Sequence, residues 1–216
     1  MTPVTVTQIV QDFDLRTKTP NWLGNGGIKA EDFKGFLDDH LLPAQRKDCR
    51  FYNHCQAFLD SEGKNGENAV FNFCHSIHES DWGRSYIAHR KLNFRGYGAV
   101  DNNPVGGAYA FKAVDDSILA ISAKIKRNYL MEGGKYSVPF TEKEFDHQLR
   151  TNKAWASSPE NLARWREKRL RCKEVKPFTL ECLNERYASH ANWDTSIAQL
   201  MKQFVEYVIG RRGHGK

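Results

Sequence analysis

The feature that most restricts how this chain can fold is the run from residue 70 to 98, in which an apolar helical segment delivers a single carboxylate to a turn. Val70, Phe71, Phe73, Cys74, Ile77 and Trp82 recur at spacings that place several of them on one helix face. That periodicity predicts a helix over about 68–79 packed into a core. Glu79 then leaves the helix end beside apolar bulk, followed by Trp82, Gly83 and the turn Gly96-Tyr97-Gly98. A carboxyl held partly out of water keeps its proton to higher pH, because its charged form loses solvation. The sequence therefore predicts an acid, Glu79, able to donate a proton near neutrality.

A chain of 216 residues with 40% apolar residues can bury one sizeable core, and a single domain over 1–216 is the expectation. The first residues, MTPVTVTQIVQDFD, have no basic start followed by an apolar stretch, and no run approaches the length needed to span a membrane. This predicts a protein made in a cytoplasm without an export signal. Cys49, Cys55, Cys74, Cys172 and Cys182 are an odd set without CxxC pairs, which predicts reduced thiols rather than a disulfide framework.

Residues 1–30 open on a polar, β-branched stretch and reach a loop at 19–27 punctuated by proline and glycine pairs. Helices are predicted over about 30–42, 46–61 and 68–79. Between 93 and 111 glycines and aromatics alternate too closely for a helix, which predicts a short β-like or irregular lobe. Val114, Ile118, Ile121 and Ile125 form a helical stripe over 113–129, with Asp115 and Asp116 in its first turn, where negative charge suits the helix dipole. Ser158-Pro159-Glu160 opens a further helix, a last one covers about 193–209, and the tail 210–216 is expected to be mobile.

The segment from His78 to Ser85, then Ile87-Ala88, Leu92-Asn93-Phe94-Arg95-Gly96-Tyr97-Gly98-Ala99 and Asp101-Asn102-Asn103-Pro104, resembles the glucosaminidase family of peptidoglycan hydrolases. These are the endo-β-N-acetylglucosaminidases of glycoside hydrolase family seventy-three. The resemblance continues at Gln56-Ala57-Phe58-Leu59, Asn128-Tyr129-Leu130, Gly134-Lys135-Tyr136, 179–188 and Trp193, covering most of 55–136 and 177–203. It implies a mostly α-helical, lysozyme-like α+β fold with a small irregular or β lobe and a cleft. It also implies cleavage of the β-1,4 bond between N-acetylglucosamine and N-acetylmuramic acid, with Glu79 as general acid and no cofactor. A phage lysin or virion-associated enzyme would reach the wall without an export signal, so a phage origin is expected.

Glycoside hydrolysis needs a second element besides the acid. This is a carboxylate at roughly 5 Å as nucleophile, one at roughly 6.5–9.5 Å as base for a water, or the substrate's own 2-acetamido group. Asp101, after the Gly-Tyr-Gly turn, and Asp116, with Asp115 beside it, are the candidate carboxylates. Trp82, Tyr97 and Tyr129 can present flat apolar faces to a pyranose and phenols to its hydroxyls. By resemblance Tyr129 is the family's functional tyrosine near the reacting sugar, and Asn93 and His78 lie in its substrate-binding motifs. Trp193 and Tyr187 read as packing residues, and core packing is the competing reading for Trp82.

His75 and His78, with Glu79 next, superficially suggest zinc ligands, but the HExxH order is absent, so no metal is expected; His78 reads as the neighbour that tunes Glu79. The net charge of +6 is concentrated in a basic insertion at about 137–176, where Arg150, Lys153, Arg164, Arg166, Lys168, Arg169, Arg171, Lys173 and Lys176 face few acids. It reads either as a solvated helix face or as a patch over 150–176 that attracts anionic wall polymers. Nucleic acid is the lesser alternative. A non-catalytic wall- or nucleic-acid-binding virion protein that retains the fold is the competing function.

Overall fold

The computed structural model describes residues 27–99, 103–153, 155, 157–172 and 179–213. The order is α1 (Ala30–His40), α2 (Pro43–Asp48), α3 (Gln56–Asn65), α4 (Ala69–Ser80), α5 (Tyr86–Lys91), α6 (Pro104–Gly107) and α7 (Val114–Ile125), which runs into a π-helical turn at Lys126–Leu130. Then follow α8 (Glu142–Thr151), α9 (Pro159–Cys172), α10 (Leu180–Tyr187) and α11 (Trp193–Gly213). The last helix carries on through 210–213, part of the tail expected to be mobile, while 214–216 and the N-terminal stretch 1–26 lie outside the described residues.

The centre of the molecule is α4. Every residue from Ala69 to Ile77 is buried, so the helix is enclosed on all sides rather than amphipathic. It packs against α3 and α11, and α11 also covers α1. Phe73 brings these helices together: its ring centroid lies 4.6 Å from Phe33, 5.3 Å from Phe58 and 5.6 Å from Phe204. Aromatic pairs at such separations add about 0.5–1.5 kcal/mol each beyond their area burial.

Both ends of α4 are set locally. The Asn68 side chain accepts a hydrogen bond from the Phe71 amide at 2.9 Å and starts the helix. At the other end Asp81, Trp82 and Gly83 take left-handed φ values of 49°, 61° and 77°, and the Gly83 amide donates to Ser80 Oγ at 2.8 Å. The helix thus stops one residue after Glu79. A Cβ on Gly83 would lie 2.8 Å from the Phe51 ring, and its φ disfavours any side chain. Gly83→Ala is expected to cost about 2–5 kcal/mol, seen as a Tm lower by roughly 5–15 °C. An unchanged melting curve would show that this turn tolerates a side chain.

Three expectations change here. No strand occurs among the described residues, so the small β lobe is absent. The described residues between α5 and α7 instead form the irregular alternative, turns and the short helix α6, whose polar groups bond to side chains and nearby carbonyls rather than to a neighbouring strand. The helix expected over 46–61 is broken after Asp48, because Phe51 turns fully into the core against Phe58 and Phe94 at 5.7 and 5.3 Å. Burial of that ring outweighs continuation of the helix. Finally, Cys172 and Cys182 form a disulfide between α9 and α10, with Cα atoms 5.4 Å apart. Spacing along a chain does not reveal which helices lie side by side. Cys49, Cys55 and Cys74 are free and buried. Burial pushes the thiols of Cys49 and Cys55 up to about 11 and about 12, which leaves them unreactive.

Candidate active site

An open cleft of ≈790 Å³ lies over the C-terminal end of α4. Its lining comes from that helix end, the loop at 95–99, the π-helical turn, Tyr136, and the junction of α10 with α11. Among the described residues, Glu79 is the only carboxylate lining it. The Glu79 side chain is 24% exposed, and its Oε1 accepts a hydrogen bond from Trp193 Nε1 at 2.5 Å and faces His75 Nε2 at 3.6 Å.

That environment reverses the expected acidity. Burial by itself pushes the Glu79 carboxyl up, but the His75 ring facing it and the Trp193 indole donating to it, with a smaller contribution from His78, outweigh burial and hold it below its ordinary 4.5. In the free protein Glu79 is therefore ionised at neutral pH. The apolar bulk anticipated around it is present, yet two of its rings turn nitrogens toward the carboxylate, the Trp193 indole N–H and His75 Nε2. His75 is itself fully buried, and burial pushes it down to about 4, so it is a neutral imidazole at pH 7. His75 rather than His78 is the close neighbour because i,i+4 residues stack on one helix face. His78 stands exposed at the cleft, its pKa lowered by partial burial.

The walls are tyrosines. The π-helical turn brings Tyr129 to the cleft with its ring 5.0 Å from Tyr136 and 5.4 Å from Tyr187. Burial raises the Tyr129 phenol to about 12, so it remains a hydrogen-bond donor. On the opposite loop Tyr97 packs 5.1 Å from Tyr109. A Cβ on Gly98 would lie 2.3 Å from the Tyr109 ring, so that ring fits only because residue 98 has no side chain. Asn93, expected at the substrate, is buried and shapes this loop instead. Its Nδ2 donates to the carbonyls of Tyr97 and Tyr109 at 2.8 and 3.0 Å, and its Oδ1 accepts from the Tyr97 amide at 3.0 Å.

Behind the loop, Arg95 and Glu67 form a fully buried bidentate ion pair, Nη1 to Oε1 at 2.7 Å and Nη2 to Oε2 at 3.1 Å. The Tyr187 hydroxyl donates to the Arg95 carbonyl at 2.9 Å, tying α10 to the same loop. The helix α9 packs on α10, and its cations divide: Arg164, Arg166 and Arg171 are exposed, whereas Lys168 and Arg169 are buried. Lys168 is buried against Asp194, Asn184 and the Ala191 carbonyl, Arg169 faces Glu185 at 3.4 Å, and Arg171 pairs with Glu181. Buried cations need such partners. Here they anchor the segment that carries Trp193.

Of the residues singled out from the sequence, Glu79, His78, Tyr97 and Tyr129 meet at one cleft. Trp82 does not: it packs on Phe36 and His40 at 6.0 and 5.4 Å, carried there by the left-handed turn. Asp116 is exposed on the first turn of α7, outside the cleft lining, and Asp115 binds His54 at 2.7 Å. Asp101 lies outside the described residues. Trp193 and Tyr187, read as packing, both line the cleft. No group of three His, Cys, Asp or Glu among the described residues is arranged to hold a metal ion, and no described helix is long and apolar enough to cross a membrane.

A family model described as mannosyl-glycoprotein endo-beta-N-acetylglucosaminidase, the glucosaminidase family, matches residues 55–206. Two Streptococcus pneumoniae proteins, from a serotype 4 strain and strain R6, assigned as endo-beta-N-acetylglucosaminidases, are each 41% identical over 81 residues, which is 38% of this chain and 12% of theirs. The match thus spans only a small part of those longer proteins. The crystal structure of autolysin E from S. aureus superposes with a TM-score of 0.51 at 18% identity, covering 95% of this chain and 75% of that one, which is a likeness of fold. Because the family model spans more than half the chain, from Cys55 through Glu79, Tyr129 and Trp193 to Glu206, the protein belongs to the glucosaminidase family.

Proposed function

We propose that the chain is a peptidoglycan hydrolase that cleaves the β-1,4 bond between N-acetylglucosamine and N-acetylmuramic acid, with Glu79 as general acid. The observation that carries this reading is a single described carboxylate held by Trp193 in an open, tyrosine-walled cleft of ≈790 Å³. The protonated Glu79 gives its proton to the glycosidic oxygen as the bond from the anomeric carbon breaks, and the bonding pair stays with that oxygen. The anomeric carbon is met by the substrate's own 2-acetamido oxygen or by a water that Asp101 activates. Tyr129 and Tyr97 supply apolar ring faces to the pyranoses and hydroxyls to the acetamide or sugar hydroxyls. Exposed Arg150, Lys153 and Arg166 add a salt-sensitive attraction to anionic wall polymers.

Digestion of purified sacculi followed by mass spectrometry of the fragments tests the reading, because it identifies which sugar bears the new reducing end. N-acetylglucosamine at that end is the expected result; sacculi that bind the protein yet release no fragments would favour a binding role. Asp101→Asn separates the two routes: a loss as large as that of Glu79→Gln assigns the second group to Asp101, and near-normal turnover assigns it to the substrate.

Glu79 acts when protonated and is ionised in the free protein at neutral pH. The value of kcat/KM is therefore expected to fall tenfold per pH unit on the alkaline side of the Glu79 pKa. A rate that instead rises from pH 5 to 8 would remove Glu79 as the acid.

A further inference from the structure

The two ring nitrogens nearest Glu79 converge on the same atom. Trp193 Nε1 donates to Oε1, and His75 Nε2 faces that same Oε1, while no hydrogen bond among the described residues reaches Oε2. His75 has no solvent exposure, and neither of its ring nitrogens has a hydrogen-bond partner among the described residues. Aromatic rings enclose it, with Phe71 at 5.2 Å, Tyr187 at 4.8 Å and Trp193 at 5.0 Å, the last two edge-on. A buried imidazole left unbonded on both nitrogens is costly, and a slight approach to Glu79 would satisfy one of them.

Resting on the reading of Glu79 as the acid, we propose that His75 is a positioning residue: as the neutral Nε2–H tautomer it joins Trp193 on Oε1, so that Oε2 alone carries and delivers the acid proton. Oε1 faces the helix and α11, where it accepts from both rings. Oε2 is left as the oxygen that meets the glycosidic oxygen. When the proton leaves, the negative charge that remains on the carboxylate is received by two N–H donors already in place, with no reorganisation at the moment of transfer. Both donors favour the carboxylate over the acid, so His75 makes Glu79 a stronger acid than its burial alone would allow.

The other titratable and charged groups around the pair are His78 on α4, Arg95 on the loop with Glu67 behind it, Tyr187 on α10, Tyr129 on the π-helical turn, and His190 before α11. All of them are retained in the variants proposed here.

The test compares His75→Leu with His75→Gln through kcat/KM against pH on a soluble muropeptide oligomer. Gln can place an amide N–H where Nε2 stands, whereas Leu fills the space without a donor. The alkaline limb of His75→Leu is expected to move up by roughly one pH unit, and that of His75→Gln to stay within about 0.3 unit of the parent. A loss in His75→Leu that is uniform across pH, or equal shifts in both variants, would overturn the proposal and leave His75 a packing residue.

Two NMR measurements on the unaltered protein stand independently of whether the variants fold. The His75 ring nitrogens should report a neutral imidazole protonated at Nε2 from pH 5 to 8; a proton on Nδ1, or an imidazolium, would contradict the assignment. The Glu79 side-chain carboxyl should titrate below an ordinary glutamate. Neither readout needs turnover, so a protein that releases no fragments would refute the hydrolase reading while these spectra still decide the contact between His75 and Glu79.

Discussion

Glu79→Gln is expected to lower turnover of peptidoglycan fragments by about 10²–10⁴-fold, the usual contribution of a positioned general acid. The fold should survive. Gln keeps an oxygen that can accept the Trp193 indole N–H, now 2.5 Å from Glu79 Oε1, and the side chain sits at the last turn of α4 rather than inside the Phe33, Phe58, Phe73 and Phe204 cluster. What changes in stability is its dependence on pH. A carboxyl held below its ordinary 4.5 contributes stability that is complete above that value and is lost as pH falls through the folded-state pKa. The variant should therefore lose less stability than the parent on acidification. Retention of more than about a tenth of the parent rate, in a protein with a normal melting curve, would exclude Glu79 as the acid.

Arg95→Met should produce the largest loss of stability. Its guanidinium is bidentate to Glu67, and both side chains are sealed from solvent. Removing one partner leaves a buried, unpaired carboxylate, which costs about 3–5 kcal/mol and lowers Tm by roughly 6–20 °C in a chain of this size. The double variant Glu67→Leu with Arg95→Met removes the uncompensated charge, so most of the loss should return in it. Melting curves of the two single variants and the double decide the matter. If the double variant is no more stable than Arg95→Met alone, the cost comes from lost packing of the arginine rather than from a stranded charge. Activity should fall with the single change as well, since the Tyr187 hydroxyl bonds the Arg95 carbonyl and Arg95 borders the cleft.

Much of the helical layout was legible because it is encoded locally. The apolar spacing over residues 69–80 and the stripe of Val114, Ile118, Ile121 and Ile125 correspond to α4 and α7. The position of Glu79 at the end of its helix was equally plain. The break at Phe51 was not, because a helix-compatible sequence yields when one ring has a deep site in the core, and that site is built by Phe58, Phe73 and Phe94. The burial of Lys168 and Arg169 within the charged insertion was not legible for a related reason. A count of cations says nothing about acids elsewhere in the chain, and Asp194, Glu185 and Glu181 come from helices that follow it. Trp82, three residues after Glu79, was legible either as a sugar platform or as a core residue, and only the fold keeps it from the site. Three consecutive left-handed residues carry it to Phe36 and His40 instead.

From the order of its residues alone, the chain determines a buried helix that ends by presenting one glutamate, and a set of aromatic and glycine motifs that identify its relatives. Helix faces and caps depend on neighbours within about four positions, so a linear reading reaches them. Whether that glutamate holds its proton was decided only when the chain closed. Trp193, 114 residues further along, brings its indole to the carboxylate, and together with His75 it turns a site expected to keep the acid protonated into one that favours the anion. Apolar bulk and N–H donors look alike in a hydropathy pattern, and their effects on a buried carboxyl have opposite signs.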